Sequence, residues 1–309
     1  MIKDLYDGFE IRDQKFLVSF ASKGVSNGGQ AYLNLVLQDF SGQVDAKVWS
    51  INDDDIPLYS VGNIIMIDGD VIKYKEKLQV KINSASLVDQ DFEDLSMYVQ
   101  SSDFTLGELK EKFNKLLATI SDKEYLSMIN DIFGKYGEAI FEYPAAVRNH
   151  HTYTRGLITH SISVAEICEF LSAHYGSLNH DLLITAALLH DIGKIVEFSS
   201  PLLPKYTEEG KLIGHITIGY SIIDETAKRL KISEEKRILL EHAILSHHGH
   251  LEFGSPVLPM TREAITLSMV DDLDAKQSVI DSALDEIVPG EFTNRIFALD
   301  DRALYKPKK

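Results

Sequence analysis

Between about residues 9 and 90, apolar positions alternate with polar ones at the period of two that a half-buried strand requires. Phe16, Val18 and Phe20 follow this pattern, and so do Leu33, Leu35 and Leu37. The stretch Ser22-Lys23-Gly24-Val25-Ser26-Asn27-Gly28-Gly29 lies between them, is rich in turn formers and reads as a loop. A third strand, Val44 to Trp49, follows the turn Phe40-Ser41-Gly42. Two more, Ile64 to Lys73 and Leu78 to Leu87, flank Tyr74-Lys75-Glu76-Lys77. Closely spaced short strands of this kind predict a small barrel.

After Asp89-Gln90-Asp91 the period changes. Leu106, Leu109, Phe113, Leu116, Leu117 and Ile120 fall at helical spacing, and Thr105 with Glu108 forms a capping box ahead of them. Further helices are expected at Asp122–Tyr136, Leu157–His174, Asp181–Lys194, His215–Leu230, Glu234–His248 and Arg262–Leu284. Phe198 to Gly214, punctuated by Pro201, Pro204, Gly210 and Gly214, reads as a loop. The expected fold class is α+β and multidomain. A five-stranded β-barrel occupies 1–92, a helical linker 93–140, and an all-α domain 141–309.

Composition narrows the function. The chain has 309 residues, 44% hydrophobic and 25% charged, enough for two domains with real cores and too apolar for disorder. A net charge of −16 argues against a generally basic nucleic-acid coat. The single cysteine, Cys168, forms no intramolecular disulfide and reads as core. The N-terminus lacks a secretion signal, so a cytoplasmic location is expected. Apolar runs such as Ile184 to Leu189 are too short to span a bilayer, so no membrane partner is expected. All eleven histidines fall between 150 and 250.

Five places in the helical part carry metal-capable side chains: His160, His190-Asp191, His215, His247-His248 and Asp271. Imidazole and carboxylate donors suit Mn²⁺, Fe or Zn²⁺ better than ions that prefer all-oxygen shells. Helices converging in a bundle can point such side chains into one pocket. An adjacent His-Asp pair allows one carboxylate to bridge two ions.

The order H…HD…H…HH…D resembles the HD-domain metal-dependent phosphohydrolase superfamily. Arg155-Gly156-Leu157-Ile158-Thr159-His160 looks like its entry motif, with Thr159 and Ser161 where members often carry Glu and Thr. Leu188-Leu189-His190-Asp191-Ile192-Gly193-Lys194 matches its central signature, and Val270-Asp271-Asp272-Leu273-Asp274-Ala275 its closing one. The resemblance implies two divalent ions, Mn²⁺ by preference with Fe, Co or Zn as alternatives. His160, His190, Asp191 and Asp271 would surround one ion, and Asp191, His215, His247 and His248 the other. One of the last two histidines supporting the other from outside the coordination sphere is the alternative arrangement. Catalytic roles fall on Asp191 and on Lys194, one helical turn after His190 and able to reach a substrate phosphate.

Other candidates have plainer readings. His174 and His180 read as solvated helix ends, His242 as support or surface, and Asp272 and Asp274 as capping or surface charges. His150, His151 and His250 read as loop residues near the site.

The barrel strands resemble an OB-fold of the tRNA-anticodon-binding type, notably Ala31 to Asp39, Gly42 to Trp49 and Gly62 to Tyr74. The ligand face of such a fold would carry Lys23, Tyr32, Lys47, Trp49, Tyr74, Lys75 and Lys77. Rings that stack on bases, interleaved with lysines for phosphates, suit sequence-tolerant single-strand binding. A structural or oligomerising barrel is the plainer reading, since residues 1–92 hold nine Lys+Arg against fourteen Asp+Glu.

An OB-fold leading into an HD domain at this length resembles the YhaM-type 3′–5′ exoribonuclease family. The resemblance implies hydrolysis of single-stranded RNA, with single-stranded DNA as a further candidate, from the 3′ end to nucleoside 5′-monophosphates. A nucleotide or cyclic-nucleotide phosphohydrolase with a regulatory barrel is the alternative, and a non-catalytic nucleic-acid binder the third. The sequence leaves room for a homo-oligomer.

Overall fold

The computed structural model describes residues 1–309 apart from 26–27, 50, 76, 90–92, 95–96, 100–101, 103, 146–153, 202–203, 286 and 309. His150, His151 and the terminal Lys309 therefore lie outside the described residues. The chain forms two compact units, Met1–Ser101 and Ser102–Lys309.

The first unit is a closed barrel of β1 (Glu10–Val25), β2 (Ala31–Asp39), β3 (Gly42–Trp49), β4 (Ile64–Tyr74) and β5 (Lys77–Leu87), in the order β1-β2-β3-β5-β4. All neighbours are antiparallel except β3 and β5, which run parallel. Leu33, Leu35 and Leu37 point inward with Val44, Ala46 and Val48, as the alternation predicts. Closure removes the exposed edges that an open five-stranded sheet would present.

Two details of β1 depart from the alternation. A register shift between Val18 and Phe20 lets Phe16, Leu17 and Val18 all be buried and leaves Phe20 exposed. The expected loop is also shorter, because Ser22 to Val25 continue β1 and pair with β2. Lys23 therefore sits on a strand, opposite Leu33.

The second unit comprises α1 (Leu106–Thr119), α2 (Lys123–Glu142), α3 (Gly156–His174), α4 (His180–Leu189), α5 (Lys194–Glu197), α6 (Glu208–Ile213), α7 (His215–Leu230), α8 (Glu234–Ser246) and α9 (Arg262–Asp285). The capping box forms as expected: Glu108 N donates to Thr105 Oγ1, and Thr105 N donates to Glu108 Oε2 at 2.8 Å. Helix α4 buries every residue from Leu182 to Leu189, the mark of a helix at the centre of a core.

The expected linker at 93–140 needs correction. The division falls at 101/102, and α1 and α2 place Leu109, Phe113, Leu116, Met128, Ile129 and Ile132 in the same apolar core as α3, α4, α7, α8 and α9. Full burial of each such side chain contributes about 1.5–3 kcal/mol, so these helices are part of the helical fold. The helix expected at Asp181–Lys194 stops at Leu189, where the chain turns through His190 to Gly193 before α5. The loop expected at 198–214 contains α6, begun by Thr207, whose side chain accepts from Gly210 N.

Candidate metal centre and nucleic-acid surface

The turn after α4 can be approached closely by α7 because residue 193 is glycine. A Cβ there would lie 2.0 Å from the His215 carbonyl oxygen and 2.7 Å from Gly219 N. The start of α7 thus packs directly on the backbone following Asp191, and His215 is brought to the His-Asp pair. Helix α3 delivers His160, α9 delivers Asp271, and the end of α8 delivers His247 and His248.

Asp191 lies at the centre and is buried, and its two carboxylate oxygens face two groups. Oδ2 is 3.3 Å from His190 Nε2 and 3.8 Å from His160 Nε2. Asp271 Oδ1 joins this group at 3.0 Å from His160 Nε2 and 3.6 Å from His190 Nε2. Oδ1 of Asp191 is 3.5 Å from His215 Nε2 and 3.7 Å from His247 Nε2. The ligand atoms of His160, His190 and Asp191 lie within 4.8 Å of one another, as do those of His215, His247 and His248. All seven residues that the sequence picks out as ligands thus come together, with Asp191 between the two sets.

All five of these histidines are anchored through Nδ1. His190 faces the Ala187 carbonyl at 2.8 Å, His247 that of Ile244 at 2.7 Å, and His248 that of Phe253 at 2.8 Å. A carbonyl only accepts, so these Nδ1 atoms carry the proton and each Nε2 presents a lone pair. His160 Nδ1 faces Asp274 Oδ2 at 2.7 Å, and His215 Nδ1 faces Glu197 Oε1 at 3.2 Å. Asp274, read from sequence as a cap or surface charge, is buried and also accepts from Ser163 Oγ. Glu197, on the single turn α5, escaped sequence reading altogether. Asp272 is the exposed member of its run and pairs with Lys276.

Three buried atoms at the centre have no hydrogen-bond partner among the described residues: Asp191 Oδ1, His215 Nε2 and His247 Nε2. Leaving such groups unsatisfied is costly, and a shared cation satisfies all three at once. Protonation states agree. Burial opposes ionisation of Asp191 and Asp271, yet Lys194 and the histidines around Asp191, and His160 and its neighbours around Asp271, hold both carboxyls below the usual range. Burial, then the neighbouring His248 and His190, keeps His247 neutral, and burial with His215 does the same for His248. His160 is the exception: burial works against its charge, but Asp271 and Asp274 outweigh it and raise the imidazole to about 10, so this ring holds a proton that a bound cation would have to displace. Ionised carboxylates and neutral imidazoles are the metal-binding forms, and this donor set fits a pair of divalent ions.

The remaining histidines are peripheral. His242 Nε2 accepts from Met260 N at 2.8 Å and so pins the segment ahead of α9. His174 is exposed against Phe170, His180 pairs with Asp181, and His250 stacks edge-on to Phe253.

On the barrel, three of the predicted contact residues form one cluster. Tyr32 and Trp49 are register partners across β2 and β3, with ring centroids 5.2 Å apart. Lys47 Nζ lies 4.9 Å from the Tyr32 centroid and 5.0 Å from that of Trp49. Trp49 remains 48% exposed, leaving a ring face open. Gly24 makes the cluster possible, since a Cβ there would meet the Tyr32 ring at 2.5 Å. Lys81, which sequence reading did not single out, is the register partner of Lys47 on β5. Tyr74, Lys75 and Lys77 sit apart from these at the β4–β5 turn, with Lys75 Nζ 5.5 Å from the Tyr74 centroid.

This fold and site define a class: an HD domain, a divalent-metal fold, preceded by an OB-fold nucleic-acid-binding domain. The HD domain family matches residues 157–276, and the OB-fold nucleic acid binding domain family matches residues 18–88. The chain is 39% identical over 303 residues to "3′-5′ exoribonuclease YhaM" of Geobacillus sp. (strain WCH70), covering 98% of this chain and 94% of that protein. The chain belongs to the YhaM 3′–5′ exoribonuclease family. Among solved structures, the second OB-fold domain of replication protein A from Methanococcus maripaludis is 16% identical, matching 27% of this chain and 92% of its own at a TM-score of 0.20. No described helix is long and apolar enough to cross a membrane.

Proposed function

We propose that this protein hydrolyses single-stranded RNA from its 3′ end, releasing nucleoside 5′-monophosphates with the aid of two divalent ions, Mn²⁺ by preference. Each cycle adds water to the terminal phosphodiester and breaks the P–O3′ bond. The shortened chain keeps a 3′-hydroxyl, and the released nucleotide keeps the phosphate. The observation that carries this reading is Asp191, whose two oxygens face two separate histidine groups. When bound, two ions at such a carboxylate polarise the phosphoryl oxygens and acidify an attacking water.

The chain's own residues hold this arrangement. His160, His190 and Asp271 surround one side of Asp191, and His215, His247 and His248 the other. Lys194 donates to Asp191 Oδ2 at 2.6 Å and fixes the carboxylate's orientation, and its ammonium lies where a substrate phosphate would gain a further cation. The barrel supplies strand affinity through Tyr32, Trp49 and Lys47, with Lys23, Tyr74, Lys75 and Lys77 as further contacts. Base stacking there is sequence-tolerant, as an exonuclease needs. Single-stranded DNA shares the stacking and phosphate chemistry and is a secondary substrate.

Incubation of the protein with Mn²⁺ and a 5′-labelled single-stranded RNA tests the proposal. The expected result is a ladder of shortened labelled products with free nucleoside 5′-monophosphates. Intact RNA alongside hydrolysed mononucleotides or cyclic nucleotides would overturn it in favour of a small-nucleotide phosphohydrolase.

A further inference from the structure

The five histidines of the two groups do not share one kind of anchor. Three hold Nδ1 against a backbone carbonyl of a nearby residue: His190 on Ala187, His247 on Ile244 and His248 on Phe253. The other two hold it against a carboxylate, and they fall one in each group. His160 uses Asp274 from α9, at 2.7 Å, and His215 uses Glu197 from α5, at 3.2 Å. A carboxylate behind an imidazole fixes the ring's tautomer and orientation and makes its far nitrogen a stronger donor to a cation.

The two carboxylates are themselves held. Asp274 accepts from Ser163 Oγ through its other oxygen. Glu197 Oε1 also accepts from the backbone N of His215 at 3.2 Å, so one oxygen holds both the start of α7 and its imidazole. Behind it, a Cβ on Gly210 would lie 2.5 Å from the Glu197 carbonyl oxygen and 2.9 Å from its Cγ. Thr207 closes the clasp: its N donates to the Glu197 carbonyl at 2.9 Å, and its Oγ1 donates to the Val196 carbonyl.

We infer that Asp274 and Glu197 are positioning residues, each governing a different one of the two metal positions. The groups differ in a way that separates their effects. The His160 group includes Asp271 as well as the shared Asp191, whereas the His215 group has Asp191 as its sole carboxylate among the described residues apart from Glu197 behind the ring. The position at His215 therefore has less negative charge to hold an ion and depends more on Glu197. Loss of Glu197 empties that position first, and loss of Asp274 weakens the other while Asp271 still holds it.

This inference rests on the two-ion reading, and one set of measurements separates the two. Wild-type protein, Glu197→Gln, Glu197→Ala, Asp274→Asn and Asp274→Ala are stripped with chelator, titrated with Mn²⁺ by calorimetry, and assayed for bound metal after dialysis. Wild type is expected to hold two equivalents, and a single equivalent would overturn the two-ion reading itself. Glu197→Ala is expected to retain one equivalent under the same dialysis. Asp274→Ala is expected to retain both, with one dissociation constant weakened about 10–100-fold, the usual effect of such outer partners. Glu197→Gln keeps an acceptor for Nδ1 and is expected to recover part of the lost affinity, which a merely structural role would not produce. Two equivalents at unchanged affinity in both alanine variants would overturn the inference. So would equal loss of both ions in each variant, because the carboxylates would then act on the fold and not on separate positions.

Discussion

Lys194 Nζ lies 2.6 Å from Asp191 Oδ2, and the two side chains are only 13% and 2% exposed. The ammonium thus balances a buried carboxylate that also faces four imidazoles within 4 Å. Removing one partner of a buried pair leaves the other charge uncompensated, at about 3–5 kcal/mol. Lys194→Ala is expected to lower thermal stability on that scale in chelator-treated protein. With Mn²⁺ present the gap should narrow, since the ions supply the missing positive charge. Calorimetric scans with and without Mn²⁺ check this, and an identical gap in both would show that Asp191 does not face a cation.

Gly193 is expected to tolerate no side chain. A methyl group 2.0 Å from the His215 carbonyl cannot be relieved by rotating a neighbouring side chain, because the obstacle is backbone. Gly193→Ala must move α7 away from Asp191, at about 1–3 kcal/mol of overpacking strain. The greater effect is expected at the metal centre, where His215 and Asp191 separate. Mn²⁺ titration and thermal unfolding of the variant measure both. Wild-type metal affinity would mean that α7 does not set the position of His215.

What the chain spelled out locally was legible from sequence. Leu188 to Lys194 is a contiguous signature, and the candidate ligands His160, His190, Asp191, His215 and Asp271 stand in a recognisable order. The capping box at Thr105 and the alternation of Leu33, Leu35 and Leu37 are likewise written in neighbouring residues. What escaped depends on tertiary approach. Carboxylates are common on helices, and nothing near Glu197 in sequence says that it lies behind an imidazole from another segment. The i, i+3 spacing of Asp271 and Asp274 puts both on one face of α9, a signal that was available. Phe20 turns outward because of a register shift that alternation alone cannot reveal. The apolar stripes of α1 and α2 show that they pack without showing against what, so their place in the helical core is not legible from sequence.

Asp181 gives the helical unit a pH dependence. Its Oδ2 accepts from Ser121 N, Ser121 Oγ and Asp122 N at 3.0, 2.8 and 2.7 Å, and its Oδ1 pairs with His180. Burial opposes ionisation, but these hydrogen bonds outweigh it and hold the carboxyl below its ordinary range. A carboxyl whose folded value is depressed stabilises fully above its unfolded value, about 3.9, and loses that contribution as pH falls through the lower folded value. Urea midpoints should therefore drop as pH is lowered from about 5 to about 2. Asp181→Asn should be less stable at pH 7 and show a shallower drop. A parallel pair of curves would mean that Asp181 titrates alike in both states.

The cluster on the barrel predicts a division between strand affinity and chemistry. Tyr32 and Trp49 lie side by side with Lys47 over both rings, and Trp49 keeps an open face. Stacking a base on such a ring contributes about 1–3 kcal/mol, so Trp49→Ala should weaken single-stranded RNA binding roughly 5- to 150-fold. Lys47→Ala should weaken it less but reduce the salt slope by about 0.7, the share of one phosphate on a single strand. Neither variant alters a group around Asp191, so Mn²⁺-supported hydrolysis of a small phosphodiester that has no bases to stack should stay at the wild-type rate. Fluorescence anisotropy at several salt concentrations, with that small-substrate assay, tests both halves. If Trp49→Ala binds RNA as tightly as wild type, the Tyr32–Trp49 face is not where the strand lies. The contacts would then fall to Tyr74, Lys75 and Lys77 at the β4–β5 turn, where Lys75→Ala with Lys77→Ala should flatten the salt slope instead.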